Sequence, residues 1–217
     1  GTGPDAEVRP IARPVAASVL VAVGGVALAT GWSLDGGTIV FDVAPAAGAE
    51  VRVRHIEEQV DPSVFAENPA WSANYEATKD LPAATGDDIV WADAVIFGSP
   101  TRFGSVASQL RGFLDSLGGL WSKGQLSDKV YAGFTSTNTA HGGQETTLLS
   151  LYITLMHWGG IIVPPGYTDA LKFVDGNPYG ASLLATHDNI GQFDSTTNDA
   201  LDHLARRVVA VAGRLTP

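Results

Sequence analysis

Three segments of the chain combine hydroxyl, glycine and aromatic residues in a way that suits a flat ligand with hydrogen-bonding groups. They are SPTRFG at residues 99–104, TSTNTAHGGQE at residues 135–145 and PPGY at residues 164–167. Each segment alone has a plain structural explanation, because Pro100 can end a strand and Thr101 can cap a helix. Three such segments at one sheet edge would instead favour a binding site for a planar small molecule.

The elements around these segments predict that they do share one sheet edge. Apolar runs at residues 94–99, 128–136 and 160–166 are typical of strands that are covered on both faces. Helical patterns separate them, and alternation of strand and helix at this length predicts right-handed crossovers and a parallel sheet. The fold class is therefore α/β, and ligands of such sheets bind beyond the carboxyl ends of the strands.

The helices are predicted from apolar stripes and polar starts. An apolar stripe at helical spacing consists of Val106, Leu110, Phe113, Leu114 and Leu117. Gly118 and Gly119 follow, and we expect them to end this helix. Residues 143–159 read as a further helix, and residues 195–215 as a last one with a Ser/Thr/Asn/Asp-rich start.

Composition excludes several classes of function. The net charge of −10 disfavours a sequence-independent grip on nucleic-acid phosphates or on anionic lipid. The chain has no cysteine, so disulfides, thiolate nucleophiles and Cys-ligated zinc are excluded, which fits a reducing cytoplasm. The five histidines show no metal-ligand spacing, and no G-x-S-x-G motif occurs. A redox reaction would therefore need a cofactor.

The N-terminal part has two competing interpretations. The uncharged run at residues 14–34 follows Arg9 and Arg13 and contains Ala27-Leu28-Ala29, which together suit a cleaved export signal. Runs of Val and Ile continue to about residue 58, between Gly-Gly and Asp-Gly-Gly turns, and these predict short strands instead. The run is rich in Ala, Val and Gly rather than Leu, so we favour strands in a cytoplasmic protein.

Four longer stretches resemble one protein family. They are FGSPTRFG, RGFLDSLGGLW, GFTSTNTAHGGQETTLLSLYITLMHWGGIIVPPGY and NPYGAS, within residues 97–182. They are similar to the flavodoxin-like NAD(P)H:quinone oxidoreductases of the tryptophan-repressor-binding-protein type, and the resemblance runs from about Gly48 to the C-terminus. It implies a flavodoxin-like three-layer sandwich with a central parallel sheet, FMN as cofactor, NAD(P)H as co-substrate, a quinone as substrate and a cytoplasmic homotetramer.

The resemblance also implies which residues form the site. Two loops would surround the flavin ring, His157 would reach the flavin from a neighbouring subunit, and Trp121 would line the slot for nicotinamide or quinone. The residues of the two loops that would bind the cofactor are Pro100, Thr101, Arg102, Phe103, Gly104, Ser136, Thr137, Asn138, Thr139, Ala140, His141 and Gly142. The reaction implied is a hydride transfer in two steps without a covalent protein nucleophile.

Residues 1–47 do not share this resemblance. The family holds the FMN phosphate in a Ser/Thr-rich loop after its first strand, whereas SVLVAV is followed here by residues 24–31, with Thr30 as the sole hydroxyl. Residues 31–48 instead resemble a β-rich segment of phage tail-associated proteins. We predict an atypical β-rich segment at residues 1–47, which supplies a strand to the sheet, and a flavodoxin-like domain at residues 48–217.

The missing phosphate loop leaves other functions open. A non-catalytic flavodoxin-like interaction or assembly module that has lost FMN binding is the main alternative to the quinone reductase. An exported or tail-associated structural protein is a further alternative. The absent Ser/Thr loop is the feature that separates the first alternative from the enzyme, because losing phosphate hydrogen bonds weakens FMN binding.

Overall fold

The computed structural model describes residues 19–24, 33–35, 38–40, 50–58, 61–67, 72, 75–76, 79–80, 82–185 and 194–215 of the 217-residue chain. The strands in these ranges are β1 (Val19–Gly24), β2 (Ser33–Asp35), β3 (Thr38–Val40), β4 (Glu50–His55), β5 (Ala94–Arg102), β6 (Ser105–Val106), β7 (Val130–Thr137), β8 (Ile161–Ile162) and β9 (Ala181–Leu184). The helices are α1 (Pro62–Phe65), α2 (Gly86–Trp91), α3 (Ser108–Ser116), α4 (Gly118–Trp121), α5 (Gln144–His157), α6 (Lys172–Asp175) and α7 (Ser195–Leu215).

One mixed sheet organises the chain, with β4, β1, β5, β7 and β8 as successive neighbours. β5 and β7 are parallel, and their register places Ala94 beside Val130. β8 pairs in parallel with the start of β7, and β9 pairs in parallel with its end. β2 and β3 form a separate sheet, and β6 pairs only with the end of β5, so these three strands are not counted here. With β8 and β9 taken as one interrupted strand, the remaining strands have the order 2-1-3-4-5 when they are renumbered along the chain, which is the flavodoxin-like order. The predicted α/β class is therefore confirmed.

Helices cover both faces of the sheet and produce three layers. Successive residues of β5 point to opposite faces, so Val95 and Phe97 join a core with α2, α3 and α5, while Ala94 and Ile96 join a core with α7. The helix α7 contributes Leu204 and neighbouring residues to the second core. Each fully buried aliphatic side chain of this kind contributes about 1.5–3 kcal/mol.

The helix predicted to follow β5 differs from the structure at both ends. Val106 is buried, but it lies in β6, where Thr101 is its partner, and the helix begins only at Ser108. Gly118 and Gly119 do not end the helical path, because Gly118 begins the short helix α4 directly after α3. Neither glycine has a positive φ, so neither provides the left-handed cap on which the prediction relied.

The strand β1 lies between β4 and β5, as the sequence suggests for SVLVAV, but it runs antiparallel to both. Its register places Val19 beside Gly98 and Val23 beside Ala94. Gly24 therefore lies at the amino-terminal end of β5, and Val19 lies toward the carboxyl end. β2 and β3 pair antiparallel, as expected for strands on either side of the Asp-Gly-Gly turn.

Several predictions about the N-terminal part lie outside the described residues. They concern the Ala27-Leu28-Ala29 triplet and Thr30, and the boundary between residues 47 and 48 stays a prediction. Within the described part of the chain, no helix combines the length and apolar character needed to cross a membrane.

Candidate functional site

The first loop, residues 99–104, includes the last four residues of β5, and the second loop, residues 136–143, includes the last two residues of β7. The two loops lie side by side at one edge of the sheet. The parallel register pairs Ser99 with Thr135, so the chain leaves both strands at the same level. The Thr135 hydroxyl fixes that level, because it donates to the Ser99 carbonyl at 2.8 Å. The structure thus brings together two of the three segments that the sequence singled out.

The third segment, residues 164–167, leaves the sheet earlier. β8 ends beside Tyr131, near the start of β7, and β9 pairs with the last four residues of β7 on that side. The prediction that all three segments meet at one edge was therefore wrong for this one. Ala185, which follows β9, lies at the edge instead, because its amide donates to the Thr137 carbonyl at 2.7 Å. No motif in the sequence had indicated that this end of β9 lies at the site.

The Thr101 hydroxyl joins the two loops. Its Oγ1 donates to the Gly142 carbonyl at 3.3 Å and accepts the Gly104 amide at 3.2 Å. Thr147, in the first turn of α5, places its own hydroxyl oxygen 2.8 Å from Thr101 Oγ1. The predicted ligand residue Thr101 therefore uses its side chain to hold the loops, and Thr147 is a site residue that sequence reasoning missed.

Gly143 allows the loops to approach closely. Its φ is +92°, in the left-handed region that favours glycine, and a Cβ at this position would lie 2.8 Å from the Cα of Gly104. A side chain here would thus meet backbone that has little freedom to move. Gly143, which could also have been part of a simple turn, is therefore required for this contact between the loops.

The base of the first loop is buried and fixed by hydrogen bonds. The Ser99 Oγ accepts the Ala107 amide at 2.9 Å, which ties the start of β5's loop to the start of α3. Both residues are buried. The rim of the loop can therefore be exposed while its ends stay in place.

The second loop is held by its own side chains. Gln144 donates from Nε2 to the carbonyls of Thr139 and Ala140, both at 3.1 Å, and Thr137 donates to the Thr139 carbonyl at 3.0 Å. These bonds leave the side chains of Asn138 and His141 exposed at the rim. The loop therefore presents a fixed backbone with polar and small side chains on its outer surface.

Phe103 is an exposed aromatic in a strained conformation. It has a φ of +55°, which is rare for a bulky residue, and its side chain is fully exposed. Arg102 beside it is also exposed and donates from Nη1 to the Thr101 carbonyl at 3.0 Å. Strain and apolar exposure at one tip are features of ligand and partner sites.

Trp121 and His157 lie together, away from both loops of the same chain. The Trp121 indole N–H donates to the His157 carbonyl at 3.1 Å, and both side chains are exposed. His157 ends α5, whereas the second loop precedes Gln144 at the start of α5. A helix of that length spans about 20 Å, so one chain does not bring these two residues to the loops.

The segment NPYGAS, residues 177–182, is joined to α5 by a hydrogen bond. Tyr152 of α5 donates its phenol proton to the Tyr179 carbonyl, and burial raises the pKa of Tyr152 far above its usual range, so the donor stays neutral. Lys172 is fully buried and bonds the Asp175 carboxylate and the Gly180 carbonyl. These buried polar contacts were not predicted; the bond from Tyr152 to Tyr179 joins residues 27 positions apart, which no local pattern indicates.

The described residues fit the ring of a flavin better than its phosphate. Two joined polar loops and the exposed ring of Phe103 suit a planar group with hydrogen-bonding edges. Beside β5, however, Gly24 lies at the opposite end of the sheet from the two loops. In the sequence, residues 24–31 after β1 contain a single hydroxyl, that of Thr30. No group of three His, Asp or Glu residues in the part of the chain that the structure describes could hold a metal ion.

Comparison with known proteins gives one consistent family. The family model for NADPH-dependent FMN reductase matches residues 20–172, beginning inside β1. An NAD(P)H dehydrogenase (quinone) of Deinococcus radiodurans is 48% identical over 171 residues, which cover 78% of this chain and 84% of that protein. A second NAD(P)H dehydrogenase (quinone), of Aromatoleum aromaticum, is 41% identical over 174 residues, with 78% and 84% covered.

Among solved structures, a flavodoxin, WrbA-like protein of Agrobacterium tumefaciens is similar, with a TM-score of 0.47 and 24% identity over 60% of this chain and 72% of that chain. The length of the match to the family model and the identity to the two dehydrogenases agree with the resemblance noted in the sequence. The chain therefore belongs to the NADPH-dependent FMN reductase family, among its flavodoxin-like NAD(P)H:quinone oxidoreductases.

Proposed function

We propose that this chain is an FMN-dependent NAD(P)H:quinone oxidoreductase. The observation that carries the proposal is the pair of loops joined through Thr101, with the exposed Phe103 at their tip. Relatives that the chain matches over most of its length are named NAD(P)H dehydrogenase (quinone). These matches do not favour the alternative of a non-catalytic module.

FMN supplies the chemistry by accepting a hydride from NAD(P)H and passing two electrons to a quinone. The chain positions the flavin ring and shields it from water on one side. We assign contact with the ring to the exposed residues of both loops, which are Arg102, Phe103, Asn138, Thr139, Ala140 and His141, and to the buried Pro100 and half-buried Ser136, which are partners in the register of β5 and β7. Thr101, Gly104, Thr137 and Gly142 shape the loops from within. Arg102 adds a positive charge that favours an electron-rich ring.

A second copy of the chain would complete the site. Leu149, Ile153 and Met156 are exposed at helical spacing along α5, and they form an apolar stripe that ends near His157. Packing of this stripe against another copy would bring Trp121 and His157 to a neighbour's loops. We therefore propose the homotetramer that the family resemblance implies, in the cytoplasm, where a chain without cysteine is suited.

The experiment is a reconstitution of the purified chain. We expect added FMN to give a bound-flavin absorption spectrum, and NAD(P)H oxidation to depend on both FMN and benzoquinone. Phosphate-free riboflavin and buffer without flavin are the controls. Absence of a bound spectrum together with absence of FMN-dependent NAD(P)H oxidation would contradict the proposal.

A further inference from the structure

Thr147 is a buried residue whose hydroxyl contacts both loops. It is 1% exposed and lies one turn into α5, and it is not among the residues that the family resemblance assigns to the site. Its Oγ1 is 2.8 Å from Thr101 Oγ1 in the first loop and 2.8 Å from the Gly143 carbonyl in the second. One side chain thus touches the end of each loop.

The Thr101 hydroxyl has no hydrogen-bonding capacity left over. A hydroxyl has one proton and two acceptor sites. All three sites of Thr101 Oγ1 have a neighbour, which are the Gly142 carbonyl, the Gly104 amide and the Thr147 hydroxyl, and the single proton of Thr147 is shared between Thr101 Oγ1 and the Gly143 carbonyl. Removing Thr147's hydroxyl therefore leaves a partly buried acceptor without its partner, and the remaining bond to Gly142, at 3.3 Å, is long.

We propose that Thr147 is a positioning residue that sets the separation of the two loops, and with it the width of the seat for the flavin ring. The role in flavin binding rests on the proposed function, whereas the joint between the loops exists in the protein without flavin. Thr147 does not itself touch the ring. It acts through Thr101 and Gly143, whose backbones form the inner ends of the seat.

Three variants test this role. Thr147→Val keeps the shape and the β-branching and removes the hydroxyl, and Thr147→Ser keeps the hydroxyl and removes the methyl group. Thr154→Val is the matched control, because Thr154 lies on the same helix and its hydroxyl bonds Arg111 on the surface. All three residue types have similar helix propensities.

The first measurement is the exchange rate of the Gly104 amide by NMR, without flavin. We expect Thr147→Val to raise the rate by about tenfold, as loss of one buried hydrogen bond predicts, and Thr147→Ser and Thr154→Val to stay within about twofold of wild type. The second measurement is FMN affinity by flavin fluorescence quenching, with the same ranking. Rescue by serine separates the hydroxyl from a packing role.

If the single variants lose stability, a double-mutant cycle tests whether Thr147 acts on the first loop through Thr101. Because Thr147 acts on Gly104 through Thr101, the Gly104 amide of the double variant Thr101→Val, Thr147→Val should exchange no more than about twofold faster than that of Thr101→Val alone. Additive losses, or a Thr147→Val variant with wild-type Gly104 exchange, would overturn the proposal. If wild type itself binds no FMN, the proposed function fails, and the exchange of Gly104 still decides the role of Thr147 in the joint.

Discussion

The two ends of the expected FMN site differ, because the described strands bring two loops together at the ring end and no corresponding loop to the phosphate end. At the ring end, β5 and β7 are parallel and in register, so the two loops reach one edge together. At the phosphate end, β1 takes the central place beside β5 but runs in the opposite direction. An apolar strand pattern reads the same forwards and backwards. It therefore specifies a place in the sheet, while the direction of the strand decides which edge its following loop reaches.

The largest effect is expected from breaking the ring end at Gly143. Gly143→Ala would place a Cβ 2.8 Å from the Gly104 Cα, so the loops must separate. We expect FMN affinity to fall by about a hundredfold and stability to fall by about 1–3 kcal/mol, because alanine is strained at a φ of +92°. Fluorescence titration and thermal melting measure the two effects.

Gly176→Ala is the control for this change. Gly176 has a φ of +75°, but a Cβ there would meet nothing within 4 Å. It should lose stability by a similar amount and keep its FMN affinity. Equal FMN affinity in the two variants would show that the approach of the loops does not matter for binding.

A charge on α5 tests whether another copy of the chain completes the ring end. Ile153→Glu places a carboxylate in the exposed apolar stripe, and we expect the assembly to dissociate and quinone reduction to fall by about tenfold. Size-exclusion chromatography with light scattering gives the mass. Ser195→Glu, at the exposed start of α7, should leave mass and activity unchanged. A monomeric wild type would remove the basis for this prediction.

Replacing Phe103, at the tip of the first loop, should raise the stability of the protein and lower its FMN affinity. Phe103→Gly relieves a positive φ in a fully exposed residue, so we expect a gain in stability of about 0.4–1 kcal/mol. Loss of the ring should lower FMN affinity by about fivefold, as expected for one aromatic contact. Unchanged or higher FMN affinity in Phe103→Gly would contradict a ligand role for Phe103, and lower stability would contradict the strain at its positive φ.

The smallest effect is expected at the phosphate end, from Thr30→Ala. Thr30 lies outside the described residues, but β1 ends at Gly24, at the opposite end of the sheet from the loops. We expect FMN affinity to change by less than about twofold, whereas a lost charge-assisted phosphate bond would cost about tenfold or more. A tenfold loss would show that the segment after β1 does bind the phosphate.

The sequence predicted an element best where local signals alone determine it, and worst where contacts with distant segments determine it. The helix at residues 195–215 was predicted with the bounds that the structure shows, because its polar start and apolar stripe are both local signals. The two loops were also found from residue types alone. Val106 was misplaced in a helix, since only pairing with Thr101 makes it a strand residue. The hydroxyl joint at Thr147 was missed, because it depends on two segments that meet only in the fold.

The most direct test of the ring seat is an NMR titration of the intact chain with FMN. We predict that amide shifts concentrate in residues 100–104 and 136–142, with further shifts at Trp121 and His157 if a second copy takes part. The amides of β1 near Gly24 should not respond. Shifts that gather around Gly24 and spare both loops would contradict the assignment of the flavin ring to this edge of the sheet.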